Sequence, residues 1–89
     1  MPPAPRITLI GKPGCHLCDD ARDVVARVAA ETGAGVRELS ILDDAELAAR
    51  YAEQIPVVLV DGEVHDFFRV DAERLRGALA GKRWWSLRR

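Results

Sequence analysis

The 89-residue chain lacks the features that define several common protein classes. No stretch approaches the ~18 consecutive apolar residues of a membrane span, so we expect no membrane role. Two cysteines are too few for a disulfide-stapled secreted scaffold. The opening MPPAPR lacks the apolar run of a secretory signal, so we expect a cytoplasmic protein. There is no internal repeat, low-complexity tract or linker. These absences favour one small globular domain, for which 48% hydrophobic residues supply a core.

Charge is unevenly spread along the chain. The net charge is −1, yet the last eight residues, KRWWSLRR, hold four basic residues and no acid. The rest of the chain is therefore acidic and offers no broad cationic face for nucleic acid. We predict a domain over residues 1–81 and a basic tail over 82–89. The tail contains Trp84 and Trp85, to which no role is assigned.

The first half of the chain reads as strand, helix, strand, helix. The β-branched stretch 6–10 predicts a strand buried on both faces. From residue 15 to about residue 31, apolar positions recur every three or four residues, as in a helix with one buried stripe. Over 36–41 the side chains alternate between two faces of different polarity, which indicates a strand at a sheet edge. Asp43, with Glu46 three residues later, is typical of a helix start.

The second half reads as a hairpin and a closing helix. Residues 56–60 predict an apolar strand, and Asp61–Gly62 predicts a two-residue turn into a strand over 63–68. Asp71 is expected to cap the last helix, which Gly81 ends. The order βαβαββα predicts an α/β fold with a four-stranded mixed sheet covered by three helices. The first two strands should lie parallel.

The only two cysteines lie where the first strand turns into the first helix. A thiolate at Cys15 would accept hydrogen bonds from the free N–H groups of Leu17 and Cys18, at the positive end of the helix dipole. We therefore predict a lowered pKa for Cys15. Lys12 and a protonated His16 would add to this effect, whereas two acids would oppose it, Asp19 and Asp20. Cys18, one turn later, continues the buried stripe and is expected to be the shielded partner.

Three interpretations of the cysteine pair remain open on these grounds. The pair is a dithiol redox couple; or it is a non-cycling pair of small residues in a binding module; or it carries a metal or iron–sulfur cluster across a dimer. Zinc prefers four ligands and Cys-x-x-Cys supplies two, so we expect no metal within one chain. The placement of Cys15 and Cys18 favours the redox couple.

The stretches KPGCHLC, IPVV and VDGEV resemble glutaredoxins of the thioredoxin fold, and most closely the short bacterial glutaredoxin-like family. The resemblance covers roughly Arg6 to Leu79. It implies a dithiol thiol–disulfide oxidoreductase in which Cys15 attacks a substrate disulfide and Cys18 resolves the mixed disulfide. It also implies a cis Ile55–Pro56 bond beside the cysteines. The candidate substrate-binding residues are Lys12, His16, Ile55, Pro56 and Asp71.

The chain departs from glutaredoxins after the hairpin. Those proteins usually carry a Gly-Gly pair there that helps to hold glutathione, with a capping residue after it. Here the segment reads HDFFRVD, in which Asp71 matches the capping position and Phe67 and Phe68 replace small residues. In continued strand geometry the two rings would point to opposite faces, so we expect one of them in the core.

The resemblance also implies partners. We expect a disulfide-containing protein or a low-molecular-weight thiol as substrate. Glutathione, another such thiol or a flavoprotein reductase would serve as reductant. We expect no tightly bound cofactor, and a monomer.

Overall fold

The computed structural model describes residues 5–87, and the side chains of residues 5–80. Four strands and three helices follow one another in the predicted order βαβαββα. The strands are β1 Ile7–Gly11, β2 Val36–Ser40, β3 Val57–Val60 and β4 Glu63–Phe67. The helices are α1 His16–Thr32, α2 Ala45–Tyr51 and α3 Ala72–Leu87.

The strands form one mixed sheet in the order β2-β1-β3-β4. β1 and β2 are parallel, as the βαβ pattern predicts, while β3 is antiparallel to both β1 and β4. β2 lies at an edge, which agrees with its alternating sequence. All five residues of β1 are buried, which confirms the strand expected to be buried on both faces. The α/β architecture with three helices and a four-stranded mixed sheet is therefore confirmed.

The main core lies between one face of the sheet and helices α1 and α3. Alternate residues of the two central strands meet there, because paired residues share a face. The α1 stripe packs against them, and α3 adds two leucines. The buried members of this cluster are Ile7, Leu9, Ala21, Val25, Val28, Val58, Val60, Leu75 and Leu79. Burying each large side chain contributes ~1.5–3 kcal/mol.

The β3–β4 turn is tied to the start of β1. Asp61 and Gly62 have φ values of 52° and 86°, the left-handed conformation that a tight hairpin turn requires. The Arg6 guanidinium donates to both carboxylate oxygens of Asp61, at 3.1 and 3.0 Å. It also donates to the Leu79 carbonyl at 3.2 Å. One arginine thus links β1, the hairpin and α3.

Two expected helix boundaries are wrong. α2 is capped by Asp44, whose Oδ1 accepts from the N–H groups of Glu46 and Leu47 at 2.8 and 3.3 Å. Asp43 instead donates its N–H to Ser40 in the preceding turn. α3 runs through Gly81 to Leu87, because glycine costs a helix only ~1 kcal/mol and no proline follows it.

The side chains of Trp84 and Trp85 lie outside the described residues, and the division into residues 1–81 and 82–89 stays a prediction. Over the described range 5–87, none of the helices is long and apolar enough to cross a bilayer.

Removing a core leucine should be far more costly than removing an exposed one. Leu75 is fully buried, so Leu75→Ala should lower the free energy of unfolding by ~2–5 kcal/mol, measured by urea denaturation. The matched control is Leu42→Ala, because Leu42 is 70% exposed and its loss should change stability by no more than ~0.5 kcal/mol. Similar losses in the two variants would contradict the described core.

Candidate active site

Cys15 is the N-cap residue of α1. Its backbone is extended, with φ −101° and ψ 117°, and its carbonyl already accepts the first helical hydrogen bond, from Asp19 at 3.0 Å. Its Sγ accepts the N–H of Cys18 at 3.3 Å. Cys15 is half-buried, and both cysteines are free thiols. A sulfur therefore stands where a helix usually places a serine, threonine or aspartate oxygen.

The surroundings of Cys15 favour its thiolate. A hydrogen bond from the Cys18 thiol is the strongest influence lowering the pKa of Cys15. Burial opposes it, while the N–H groups of Cys18 and Leu17 and the charge of Lys12 lower the pKa further. The direction of this shift and the two N–H donors agree with the prediction. His16, also expected to contribute, is exposed on the first turn of α1.

Cys18 has the opposite character. It is 1% exposed, and burial together with the hydrogen bond to Cys15 raises its pKa to about 11. The backbone N–H of Lys12 and the charge of Arg22 act in the other direction. The first cysteine is thus accessible and inclined to ionise, whereas the second is shielded and holds its proton.

Gly11, the last residue of β1, forms the wall behind the buried thiol. A Cβ built on Gly11 would lie 2.8 Å from Cys18 Sγ, closer than real Cβ atoms approach, and 3.2 Å from Cys18 Cβ, which is also tight. Only glycine leaves room for the sulfur there. The predicted first strand ends at residue 10, and the contact of Gly11 with Cys18 was missed. A glycine at a strand end just before Cys-x-x-Cys was the available signal.

The Ile55–Pro56 bond is cis, as the resemblance implied. Ile10 pairs with Val57, so the next step of the register places Pro56 beside Gly11, at the end of the sheet where the cysteine loop begins. Pro56 is buried, Ile55 is half-buried, and the Pro56 carbonyl accepts the N–H of Phe68 at 2.9 Å. The topology thus brings the Ile55–Pro56 segment and the loop before Cys15 to the same end of the sheet.

The other two predicted substrate-binding residues lie on different elements. Lys12 is exposed and lines a cleft of about 360 Å³ beside Gly11 and Pro13. The Asp71 carboxylate caps α3 by accepting from the N–H groups of Glu73 and Arg74, at 2.8 and 3.3 Å. The expected capping role of Asp71 is therefore present, and a contact of Asp71 or Lys12 with substrate stays a prediction.

The expectation that Phe67 or Phe68 enters the core is wrong. Both rings are 44% exposed and meet edge to face with their centroids 5.1 Å apart. Phe68 has a φ of 65°, so the chain leaves strand geometry there and the alternation of faces stops. Phe68 also lines a cleft of about 230 Å³ whose opposite wall includes Leu17 and Val24 of α1. An aromatic ridge therefore borders the helix that carries the cysteines.

One charged residue near the cysteines escaped the sequence interpretation. Arg22 follows Cys18 by four residues, which places both on one side of α1. Its guanidinium contacts Glu38 on β2 and Asp19 on α1. The i, i+4 spacing was visible in the sequence, but the strand partner was not. Across the side chains of residues 5–80, there is no group of three or more His, Cys, Asp or Glu residues arranged to hold a metal ion.

The sheet order and the cysteines at the start of α1 place this chain in the thioredoxin-fold class. The fold matches a mutant thioredoxin from Halobacterium salinarum with a TM-score of 0.60 and 23% identity, over 86% of this chain and 74% of that one. A family model described as the glutaredoxin-like domain (DUF836) matches residues 6–80. The chain belongs to this glutaredoxin-like family, which confirms the resemblance.

Individual relatives are similar over most of their length. A structural-genomics target protein from X. campestris is 32% identical with a TM-score of 0.70, over 84% of this chain and 96% of that one. Uncharacterized proteins of Mycobacterium tuberculosis and Mycobacterium bovis are each 28% identical over 81 residues, 85% of this chain and 84% of theirs. These matches agree with the fold and the family assignment, and the names of these relatives give no substrate.

Adding one methyl group behind Cys18 should disturb the site. Gly11→Ala forces Cys18 Sγ to shift in a packed region, so the free energy of unfolding should fall by ~1–3 kcal/mol in chemical denaturation. Gly77→Ala is the matched control, because no atom lies within 4 Å of its added Cβ and it lies in α3. That variant should gain up to ~1 kcal/mol. Equal changes in both would contradict the close contact at Gly11.

The two thiols should titrate far apart. In the reduced protein, thiolate ultraviolet absorbance should show Cys15 ionising below the usual ~8.5 and Cys18 near a pKa of about 11. Cys15→Ala removes the hydrogen bond and the negative charge that raise the pKa of Cys18, so that pKa should fall while burial keeps it above ~8.5. A single pKa for both thiols in the parent protein would refute this asymmetry.

Proposed function

We propose that the protein is a dithiol thiol–disulfide oxidoreductase. The observation that carries the proposal is the Cys15 sulfur at the N-cap of α1, accessible and with a lowered pKa, beside the buried Cys18. The thiolate is the nucleophile in disulfide exchange, so the thiol with the lower pKa and the better access acts first. Membership in the glutaredoxin-like family supports the same chemistry.

The first step is attack on a substrate disulfide. The Cys15 thiolate forms a bond to one substrate sulfur, the substrate S–S bond breaks, and the departing thiolate takes a proton from solvent. In the second step Cys18 gives up its proton and its sulfur attacks Cys15. The Cys15–substrate bond breaks and the second substrate thiol leaves. The substrate is reduced by two electrons, and the protein is left with a Cys15–Cys18 disulfide.

The surroundings of Cys18 order these two steps. In the dithiol form, two of the influences that raise the pKa of Cys18 come from Cys15: its hydrogen bond and its negative charge. Both are lost once Cys15 is bound to substrate, and burial remains. The Cys18 thiol is therefore a better nucleophile in the mixed disulfide than in the resting dithiol. Cys18 therefore stays mostly protonated until Cys15 has reacted with the substrate.

The substrate is proposed to be a disulfide-containing protein or a low-molecular-weight disulfide. The backbone of Ile55, beside cis-Pro56, would pair with an extended substrate by strand-like hydrogen bonds. Lys12 would contact a substrate carboxylate, and we propose that His16 and Asp71 also contact the substrate. Glutathione, another small thiol or a flavoprotein reductase would reduce the Cys15–Cys18 disulfide. The protein is proposed to act as a cytoplasmic monomer without a tightly bound cofactor.

Serine variants should separate the two steps. Cys15→Ser should reduce disulfide reductase activity to the uncatalysed background, because a hydroxyl at this position does not replace the thiolate. Cys18→Ser should accumulate a mixed disulfide at Cys15, detected as an added mass that dithiothreitol removes. Both substitutions replace only sulfur by oxygen, so circular dichroism should show unchanged folding.

The redox potential of the cysteine pair is the deciding measurement. Alkylation across graded glutathione and dithiothreitol redox buffers should show a two-electron transition within the range of about −120 to −270 mV found in thioredoxin-fold proteins. Two thiols that stay reduced throughout would instead support a binding module. Thiols masked by stoichiometric metal would support a carrier that bridges two chains. Full activity of the Cys15 variant would rule out the proposed mechanism.

A further inference from the structure

Arg22 holds a fixed positive charge beside the buried cysteine. Its guanidinium donates to both carboxylate oxygens of Glu38, at 3.0, 3.1 and 2.6 Å, and to Asp19 at 2.9 Å. Two carboxylates from different elements therefore fix its orientation, although it is half exposed. Arg22 and Glu38 line the same cleft as Gly11, and Cys18 Sγ lies directly behind Gly11.

The charged groups on this side of Cys18 come from four parts of the chain. They are Lys12 in the loop, Asp19 and Arg22 on α1, Glu38 on β2, and Asp43, which lines the same cleft. Of these, Arg22 lowers the pKa of Cys18 through its charge, while the Lys12 backbone N–H acts as a hydrogen-bond donor. The negative charge of Glu38 offsets part of the charge on Arg22. The positive potential that Arg22 contributes at the thiol is therefore smaller than that of an unpaired arginine.

We propose that Arg22 is a positioning residue for the second step, stabilising the negative charge that forms on Cys18 Sγ, and that Glu38 limits this effect while holding Arg22 in place. The inference rests on the function proposed above. Cys18 passes its proton to water, its thiolate attacks Cys15 Sγ, and the electron pair of the broken Cys15–substrate bond goes to the substrate sulfur. Arg22 contributes charge alone and exchanges no proton.

The two steps can be followed separately with the chromogenic disulfide dithiobis(nitrobenzoate). Attack by Cys15 releases the first coloured thiolate at a rate proportional to reagent concentration. Attack by Cys18 then releases the second at a rate independent of it. Stopped-flow absorbance on the full chain should resolve both phases, and their pH profiles report the two thiols individually.

Substitution of Arg22 and Glu38 should change the second phase in opposite directions. Below the pKa of Cys18, Arg22→Gln should slow it by about threefold for each unit by which that pKa rises. Per unit the thiolate fraction falls tenfold, and the higher intrinsic nucleophilicity returns about a factor of three. Glu38→Gln should accelerate it by a similar factor, because Asp19 still holds Arg22. Arg22→Lys should restore most of the rate. In each case the first phase should stay unchanged.

Arg76→Gln is the matched control. Arg76 makes an equally close double contact with Glu31, at 2.6 and 3.0 Å, but it joins α3 to α1 away from the cysteines. Both phases should be unaffected in this variant. If Arg22→Gln and Glu38→Gln slowed the second phase alike, Arg22 would merely tie α1 to β2 and the inference would be overturned. An unchanged second phase would overturn it too. A parent protein without any second phase would overturn the proposed function itself.

Discussion

The N-terminus of α1 needs a hydrogen-bond acceptor, and the Cys15 sulfur supplies it. A neutral thiol is a weak acceptor, whereas a thiolate is a strong one, so the cap of the helix and the ionisation of the nucleophile favour each other. The pKa of Cys15 is lowered in the folded protein, so its contribution to stability is present above the unfolded value near 8.5 and is lost as pH falls through the folded pKa. Local folding and reactivity thus depend on one contact.

The second cysteine responds to pH with the opposite sign. Its pKa is raised to about 11, so between ~8.5 and that value the folded chain keeps a proton that the unfolded chain has released. Stability therefore falls with rising pH over this interval. The two effects meet near pH 8.5, where the reduced pair stabilises the fold most. Gly11 permits the burial that causes the second effect, because a side chain there would come too close to Cys18 Sγ.

Local patterns in the sequence were sufficient for the element order, the parallel β1–β2 pair, the Asp61–Gly62 turn and the location of both cysteines. Periodicity and capping residues act within a few positions, so they are readable without a structure. The choice between Asp43 and Asp44 failed because adjacent identical residues offer the same cap. The exposed ring of Phe68 was missed because strand alternation carries no information about where the strand ends.

The contacts that the sequence could not reveal all join distant segments. Gly11 contacts Cys18 only after α1 folds back onto β1. The Arg22–Glu38 contact forms only when α1 packs beside β2 with these two residues at the same level. The contacts of this kind include Arg6–Asp61, Arg22–Glu38 and Arg76–Glu31, each of them partly exposed. Exposed ion pairs contribute ~0–1 kcal/mol, so the three are nearly equivalent for stability. They differ in what lies beside them: of the three arginines, Arg22 is the one whose charge reaches the Cys18 sulfur. The significance of that contact therefore lies in its position rather than its strength.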